Sequence, residues 1–201
     1  MTTEILYKYR SLEGGNFKFF VDIILNNRLY ASSFKELNDP MEGAYYYSYQ
    51  NEGLRKMLSE LSDKKEKLRL CSLSKAEDSV LMWSHYANGH RGVVIGVSID
   101  NPYNVKPVQY DGLARITSCN FNAQVTMEIL SHKLEVWRYE QEERIFIFNS
   151  KDRYVNVKVE SVIAGRSMSN QDYSSLKDLI ERVNPRISVA KKQKNSPFAS
   201  Q

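Results

Sequence analysis

The sequence predicts an α+β fold in a single compact domain, and three observations carry that expectation. Short apolar segments suited to strands are interleaved with segments whose apolar residues recur at helical spacing, without the regular alternation of a doubly wound sheet. The length of 201 residues is that of one domain, and no repeat, low-complexity block or linker divides it. At 42% hydrophobic and 26% charged, the composition is that of an ordinary globular protein able to fill a core. Residues 1–190 are expected to form the domain. Residues 191–201 read as a flexible basic tail, since Lys191, Lys192 and Lys194 precede Asn195-Ser196-Pro197.

Ile5-Leu6-Tyr7-Lys8-Tyr9 alternates weakly and is expected as a strand. Gly14-Gly15 break it, and Asn16 is placed to cap a helix running to about Asn27, with Phe17, Phe20, Val21 and Ile24 on one face. Leu29 to Ser32 reads as a second strand, and Asn38-Asp39-Pro40 as a turn, because Asp accepts local backbone bonds and Pro fixes its own φ. A tyrosine-rich stretch (Tyr45, Tyr46, Tyr47, Tyr49) precedes an amphipathic helix marked by Leu54, Met57, Leu58, Leu61 and Leu68. Leu70 to Leu73 suggests a short strand. Asp78 or Ser79 is placed to cap a helix over Val80–Tyr86, which Asn88-Gly89 ends. Gly92 to Ile99 is a nearly continuous apolar strand of the kind covered on both faces. Asn122 to Leu134 is expected to be helical, with Val125, Ile129 and Leu134 inward. Strands are expected over Arg144–Phe148, Tyr154–Val159 and Ser161–Ala164, a helix over Gln171–Val183, and a last strand over Arg186–Ala190.

Several functional classes are excluded or disfavoured. No apolar run approaches the roughly 18 residues of a membrane span, and Met1-Thr2-Thr3-Glu4 carries no signal-peptide pattern, so a cytoplasmic protein without membrane contact is expected. Cys71 and Cys119 form no close motif and read as free thiols. A net charge of +4 is too small and scattered to indicate nucleic-acid binding by itself. Thirteen tyrosines against eight phenylalanines put polar tips on many aromatic rings, as at a surface or cleft.

Three segments combine aromatics, polar groups and turn residues beyond what secondary structure demands: Tyr30 through Asn38-Asp39-Pro40-Met41-Glu42, Met82 through Gly92, and Trp137 through Arg144. Together with Tyr7-Lys8-Tyr9-Arg10 and Ile163-Ala164-Gly165, these segments resemble, in order and over about the whole domain, the bacterial domain-of-unknown-function 2971 family. That family brings no established activity. A more distant resemblance is to ADP-ribosyltransferase folds, which open on a strand carrying His or Arg and place Glu-x-Glu near the start of a later strand. It implies a split β-sheet flanked by helices and NAD as substrate. Glu142 would be the catalytic glutamate, Glu140 would orient an acceptor, and Tyr9 or Arg10 would lie at the first element, with Ser84 or Tyr86 in the middle position. His85 and Asn38 are further candidate contacts to the ligand.

The chemistry such a site needs is definite. Cleaving a nicotinamide–ribose bond builds oxocarbenium-like charge, which a nearby carboxylate stabilises. Glu140 and Glu142 on one strand would share a face, where two carboxylates repel unless Arg10, Arg144 or a ligand offsets them. Arg10 is shaped for pyrophosphate, and Trp83 or Tyr86 for stacking on a ring. The resemblance therefore implies ADP-ribosyl transfer to a protein or nucleic-acid acceptor, or NAD hydrolysis, with a setting in bacterial stress or phage defence compatible with this reading and with its alternative. The alternative is a non-catalytic module that recognises nucleic acid or a protein partner through the tyrosine-rich segment, the Trp83 helix and the basic tail.

Each candidate also has an ordinary structural explanation. Glu140, Glu142, Glu143 and Arg144 would serve as a surface ion-pair set, each pair contributing ~0–1 kcal/mol. Trp83 at helical spacing from Tyr86 is by default a core residue, and Trp137 a hydrophobic anchor. No metal is expected: His85 and His90 are five apart across the Asn88-Gly89 break, and His132 is isolated. Gly165-Arg166-Ser167 lacks the lysine and spacing of a phosphate-binding loop.

Overall fold

The computed structural model describes residues 4–47, 54–99, 103–116, 122–148, 151 and 153–193, with the side chains of residues 54–57 set aside. Tyr49, Cys119, the side chains of Leu54 and Met57, and the tail from Lys194 onward lie outside the described residues. The fold is mixed α/β, with sheets flanked by helices. In chain order the elements are β1 (Leu6–Arg10), α1 (Asn16–Asn26), β2 (Arg28–Tyr30), β3 (Tyr45–Tyr47), α2 (Leu54–Lys67), β4 (Arg69–Ser74), α3 (Val80–Tyr86), β5 (Val93–Ser98) and β6 (Asn104–Pro107). They continue with β7 (Ala114–Ile116), α4 (Ala123–Ile129), β8 (Glu142–Ile147), β9 (Tyr154–Asn156), β10 (Lys158–Ala164), α5 (Asn170–Val183) and β11 (Ser188–Lys191). Two 3₁₀ turns, Phe34–Glu36 and Glu135–Glu140, complete the described elements. No described helix is long and apolar enough to cross a membrane.

The chain divides into two compact units, each assembled from separated stretches. The first comprises Met1–Arg28, Ser74–Asn101 and Asn156–Gln201, and the second Leu29–Leu73 and Pro102–Val155. In the first unit the strand order is β11-β10-β5-β1. The central strand β5 (VVIGVS) is buried at all six positions, as its continuous apolar run predicts. It runs antiparallel to both neighbours, whereas β10 and β11 are parallel and are joined by α5, the crossover that parallel strands require. Helix α1 buries Phe20, Ile23 and Ile24. Phe17, expected on that inward face, is 44% exposed because it lies a turn short of the covered stripe. Asn16 is the first helical residue rather than the cap: Gly15 occupies that position without a side-chain hydrogen bond. Ser79 caps α3, its Oγ accepting from the Met82 N–H, which settles the choice between Asp78 and Ser79.

The second unit holds β4, β8 and β6 side by side, with β6 antiparallel to β8, and two smaller ladders, β2 with β9 and the parallel pair β3 and β7. Its core falls in two clusters. Leu61, Ala114, Ile116 and Ile129 pack with Tyr45 and Tyr47, while Leu68, Leu70, Met127, Leu130 and Phe146 pack with Phe34 and Leu37. Helix α4 ends at Ile129, well before Leu134, which is exposed; the chain turns there to place Ser131 and Lys133 beside Gln109. Within the tyrosine-rich stretch, Tyr45–Tyr47 forms the strand β3, and β6 and β7 are strands that the sequence pattern does not announce.

Candidate functional site

In the second unit, five charged side chains meet in the interior. Two residues after the Asn38-Asp39-Pro40 turn the chain reaches Glu42, and the turn sets its direction: Asp39 Oδ1 accepts from the Met41 N–H and its carbonyl from the Glu42 N–H. Glu42, Lys133, Glu140, Glu142 and Arg144 are all buried. Arg144 donates from Nε and Nη2 to the two Glu142 oxygens at 2.8 and 3.1 Å, and from Nη1 and Nη2 to the two Glu42 oxygens at 2.8 and 2.7 Å. Its remaining N–H goes to the Leu130 carbonyl. Lys133 Nζ contacts Glu140 at 2.6 Å, Glu142 at 2.9 Å and Glu42 at 3.3 Å.

Burial alone would raise the Glu142 carboxyl, but Arg144 and Lys133 beside it outweigh that and hold it far below the usual carboxylate range. Burial likewise disfavours the Lys133 and Arg144 cations, and Glu142 and Glu42 reverse the sign for both, so each holds its proton more tightly than usual. Tyr110 accepts from the Glu142 N–H at 2.7 Å, and burial pushes its hydroxyl up to about 12. The arrangement keeps Glu142 ionised, with both oxygens hydrogen-bonded to Arg144 and one also facing Lys133.

The expectation that Glu140 and Glu142 share a strand is corrected. Glu140 closes a 3₁₀ turn, Gln141 turns left-handed at φ 43°, and β8 begins only at Glu142. The two carboxylates meet through Lys133. The set is also interior, not a surface ion-pair group. His132 is not isolated: its ring nitrogens face Asp111 at 2.9 Å and Glu128 at 3.4 Å. Asn38 is exposed on its turn. Glu42 and Lys133 complete the cluster without having been singled out by any spacing in the sequence. Glu42 had a signal in its place just after a rigid turn, whereas Lys133 had none.

The other candidates lie in the first unit. Tyr9 is a core residue. Its hydroxyl donates to the Ala76 carbonyl at 2.9 Å and accepts from the Ser79 N–H at 3.1 Å, and burial pushes it up to about 12. Its ring meets Trp83 edge-on at 5.5 Å; Trp83 is fully buried, donates from Nε1 to Asp78, and stacks on His90 at 5.7 Å. Trp83 is thus the core residue that its helical spacing suggests. Ser84 and His85 are exposed, and the Ser84 hydroxyl bonds back to the Val80 carbonyl. His85 and Tyr86 meet edge-on at 6.2 Å. The Arg10 guanidinium lies over the Phe19 ring at 5.5 Å. Tyr9 is thus engaged inside the core, and the Ser84 hydroxyl is turned onto its own helix.

The first unit instead forms a cavity elsewhere. After α3 the chain passes through three successive left-handed residues, Asn88, Gly89 and His90, at φ 49°, 56° and 67°. The strained turn is held by backbone bonds from the His90 N–H to Trp83 and from the Gly92 N–H to Ala87. Two glycines make its close approaches possible. A Cβ on Gly92 would lie 2.2 Å from the Arg10 carbonyl oxygen, and one on Gly165 2.1 Å from that of His90. Beside the turn is a cavity of about 550 Å³, apolar at Phe17, Met168 and Leu176 and polar at Asn88, Arg91 and Asp172. The Asn88 amide nitrogen is buried and has no hydrogen-bond partner among the described residues. Among the described residues, no group of three or more His, Cys, Asp or Glu side chains is placed to hold a metal ion. No family model matches the chain, and neither a curated protein nor a solved structure matches it.

Proposed function

We propose that the protein is a binding protein for a small ligand of nucleotide size, seated in the cavity of the first unit. The observation that supports this is the cavity itself, a volume of about 550 Å³ with an apolar wall for a flat ring and a few polar groups to orient it. The guanidinium of Arg91 on the cavity wall offers hydrogen bonds to ring nitrogens, carbonyls or sugar hydroxyls. NAD belongs to this ligand class. Membership of the bacterial domain-of-unknown-function 2971 family, a cytoplasmic setting and a part in stress or phage defence belong to the same proposal.

Transfer or hydrolysis of NAD at Glu142 is not part of it. The Glu142 carboxylate is occupied by Arg144 and Lys133 in the interior, which favours a binding role over a catalytic one. The test is a calorimetric titration of the purified chain with NAD, AMP and adenosine, beside Ser175→Trp, which puts an indole on the exposed rim of the cavity. Wild-type binding at micromolar to millimolar concentration, weakened at least tenfold by Ser175→Trp, supports the assignment. Absence of binding for all three at millimolar concentration removes it. NAD consumption that disappears in Glu142→Gln, with unfolding unchanged, would restore the catalytic reading.

A further inference from the structure

A second cavity of the first unit, about 610 Å³, shares the wall Ser167-Met168-Ser169 with the first. Its charged lining is entirely basic, Arg166, Lys191 and Lys192, with no aspartate or glutamate. Gly165-Arg166-Ser167 lacks a phosphate-loop lysine in sequence, yet the parallel pairing of β10 and β11 sets Ala164 opposite Lys191, so a lysine reaches this wall from the neighbouring strand. The three cations differ in how they are compensated. Lys192 forms an ion pair with Asp78 and lies 6.0 Å from the Trp83 ring centroid. Lys191 donates to the neutral Asn170 side chain at 2.7 Å and lies 5.8 Å from the Tyr173 ring.

Arg166 is the most telling. Half-buried, it makes its side-chain contact with the His90 ring, Nη2 to Nε2 at 3.3 Å. A guanidinium can only donate, so His90 Nε2 accepts this bond, and burial and the Arg166 charge both lower the His90 pKa in the same sense. A neutral acceptor fixes the guanidinium in place and leaves its charge unbalanced. Partly buried arginines ordinarily face a carboxylate, and here neither Arg166 nor Lys191 meets one among the described residues. The nearby acid, Asp172, is turned to the Ser169 hydroxyl at 2.7 Å and lines the other cavity. The fourteen-residue helix α5 starts at Asn170 on the same wall, adding the positive end of its dipole.

We infer that this second cavity is a seat for a phosphate or pyrophosphate group, held by Arg166 and Lys191. A planar guanidinium already oriented by His90 offers two parallel donors to phosphate oxygens, and a lysine beside it adds a point charge. Because the two cavities share a wall, the anion is the phosphate end of the ligand whose ring occupies the first. This inference rests on the nucleotide reading for the ring but not for the anion.

The test separates the two. Inorganic pyrophosphate is titrated into the full chain at low and moderate salt, and into Arg166→Ala, Lys191→Gln, Ser175→Trp and the exposed control Arg182→Ala. Thermal unfolding checks that each variant is folded, and Lys191→Gln on a strand surface keeps the test open if Arg166→Ala is not. The expected result is tenfold or greater weakening for Arg166→Ala and Lys191→Gln, weakening with salt, and no change for Ser175→Trp or Arg182→Ala. Pyrophosphate binding of this kind with AMP no tighter than pyrophosphate keeps the seat and removes the nucleotide reading. AMP and adenosine binding equally, both blocked by Ser175→Trp and indifferent to Arg166→Ala, keeps the reading and overturns the seat. Equal losses for Arg166→Ala and Arg182→Ala mean diffuse attraction and overturn it as well.

Discussion

Arg144 uses all five of its N–H donors on Glu42, Glu142 and the Leu130 carbonyl, inside a cluster that contains one more carboxylate than cations. Taking five charges out of water costs several kcal/mol per ion, which their attraction offsets only while the geometry is complete. Arg144→Met is therefore expected to destabilise the protein by about 3–5 kcal/mol in urea unfolding, since it leaves Glu42 and Glu142 facing each other with only Lys133 between. A loss below about 1 kcal/mol would mean that water reaches the cluster. The pair Glu140 and Glu142 was legible in the sequence as two carboxylates that act together, yet the reason differed. Strand alternation suggested a shared face, and the actual link is one lysine approached from a 3₁₀ turn and from a strand. Partners brought in from distant stretches, such as Glu42 and Lys133, leave no local spacing to read.

At the scale of elements, strong periodicity and turn chemistry were readable, and short polar strands were not. α3, β5 and α5 stand within a residue or two of expectation, each set by a cap, a continuous apolar run or a Pro stop. β6 (NVKP) is exposed at three of four positions, and β7 has three residues, too few to show alternation. Both exist because a partner strand supplies the hydrogen bonds. The approach of Gly165 to His90 is a tertiary feature of the same kind, invisible in a Gly-Arg-Ser triplet. Gly165→Ala is expected to destabilise by about 1–3 kcal/mol, because its methyl would overlap a backbone carbonyl that cannot yield without moving the left-handed turn. Chemical denaturation measures it, and a neutral effect would show that the turn relaxes freely.

For the whole molecule, acid is the condition that probes the cluster. The folded Glu142 carboxyl lies below its unfolded value, so its contribution is fully present above the unfolded pKa of about 4.3 and is lost as pH falls from there toward the folded value. Stability measured between pH 6 and pH 3 is expected to drop, and the drop to shrink in Glu142→Gln. A profile identical in the variant would place the acid sensitivity in other carboxylates. Lys133 works in the opposite sense, since its raised pKa sustains stability until pH rises beyond the ordinary lysine range.

The way the units are threaded also decides when each can exist. β1 leaves the ribosome ahead of the other strands described, but its neighbour β5 follows only after a first stretch of the second unit, and β10, α5 and β11 only after the second stretch. Pairings between such remote segments form slowly, and the strand that waits presents an unpaired edge meanwhile. A nascent chain halted before Lys191 would contain the second unit's full sequence and still lack one lysine of the basic cavity, so that cavity is completed only after both stretches of the second unit have been made.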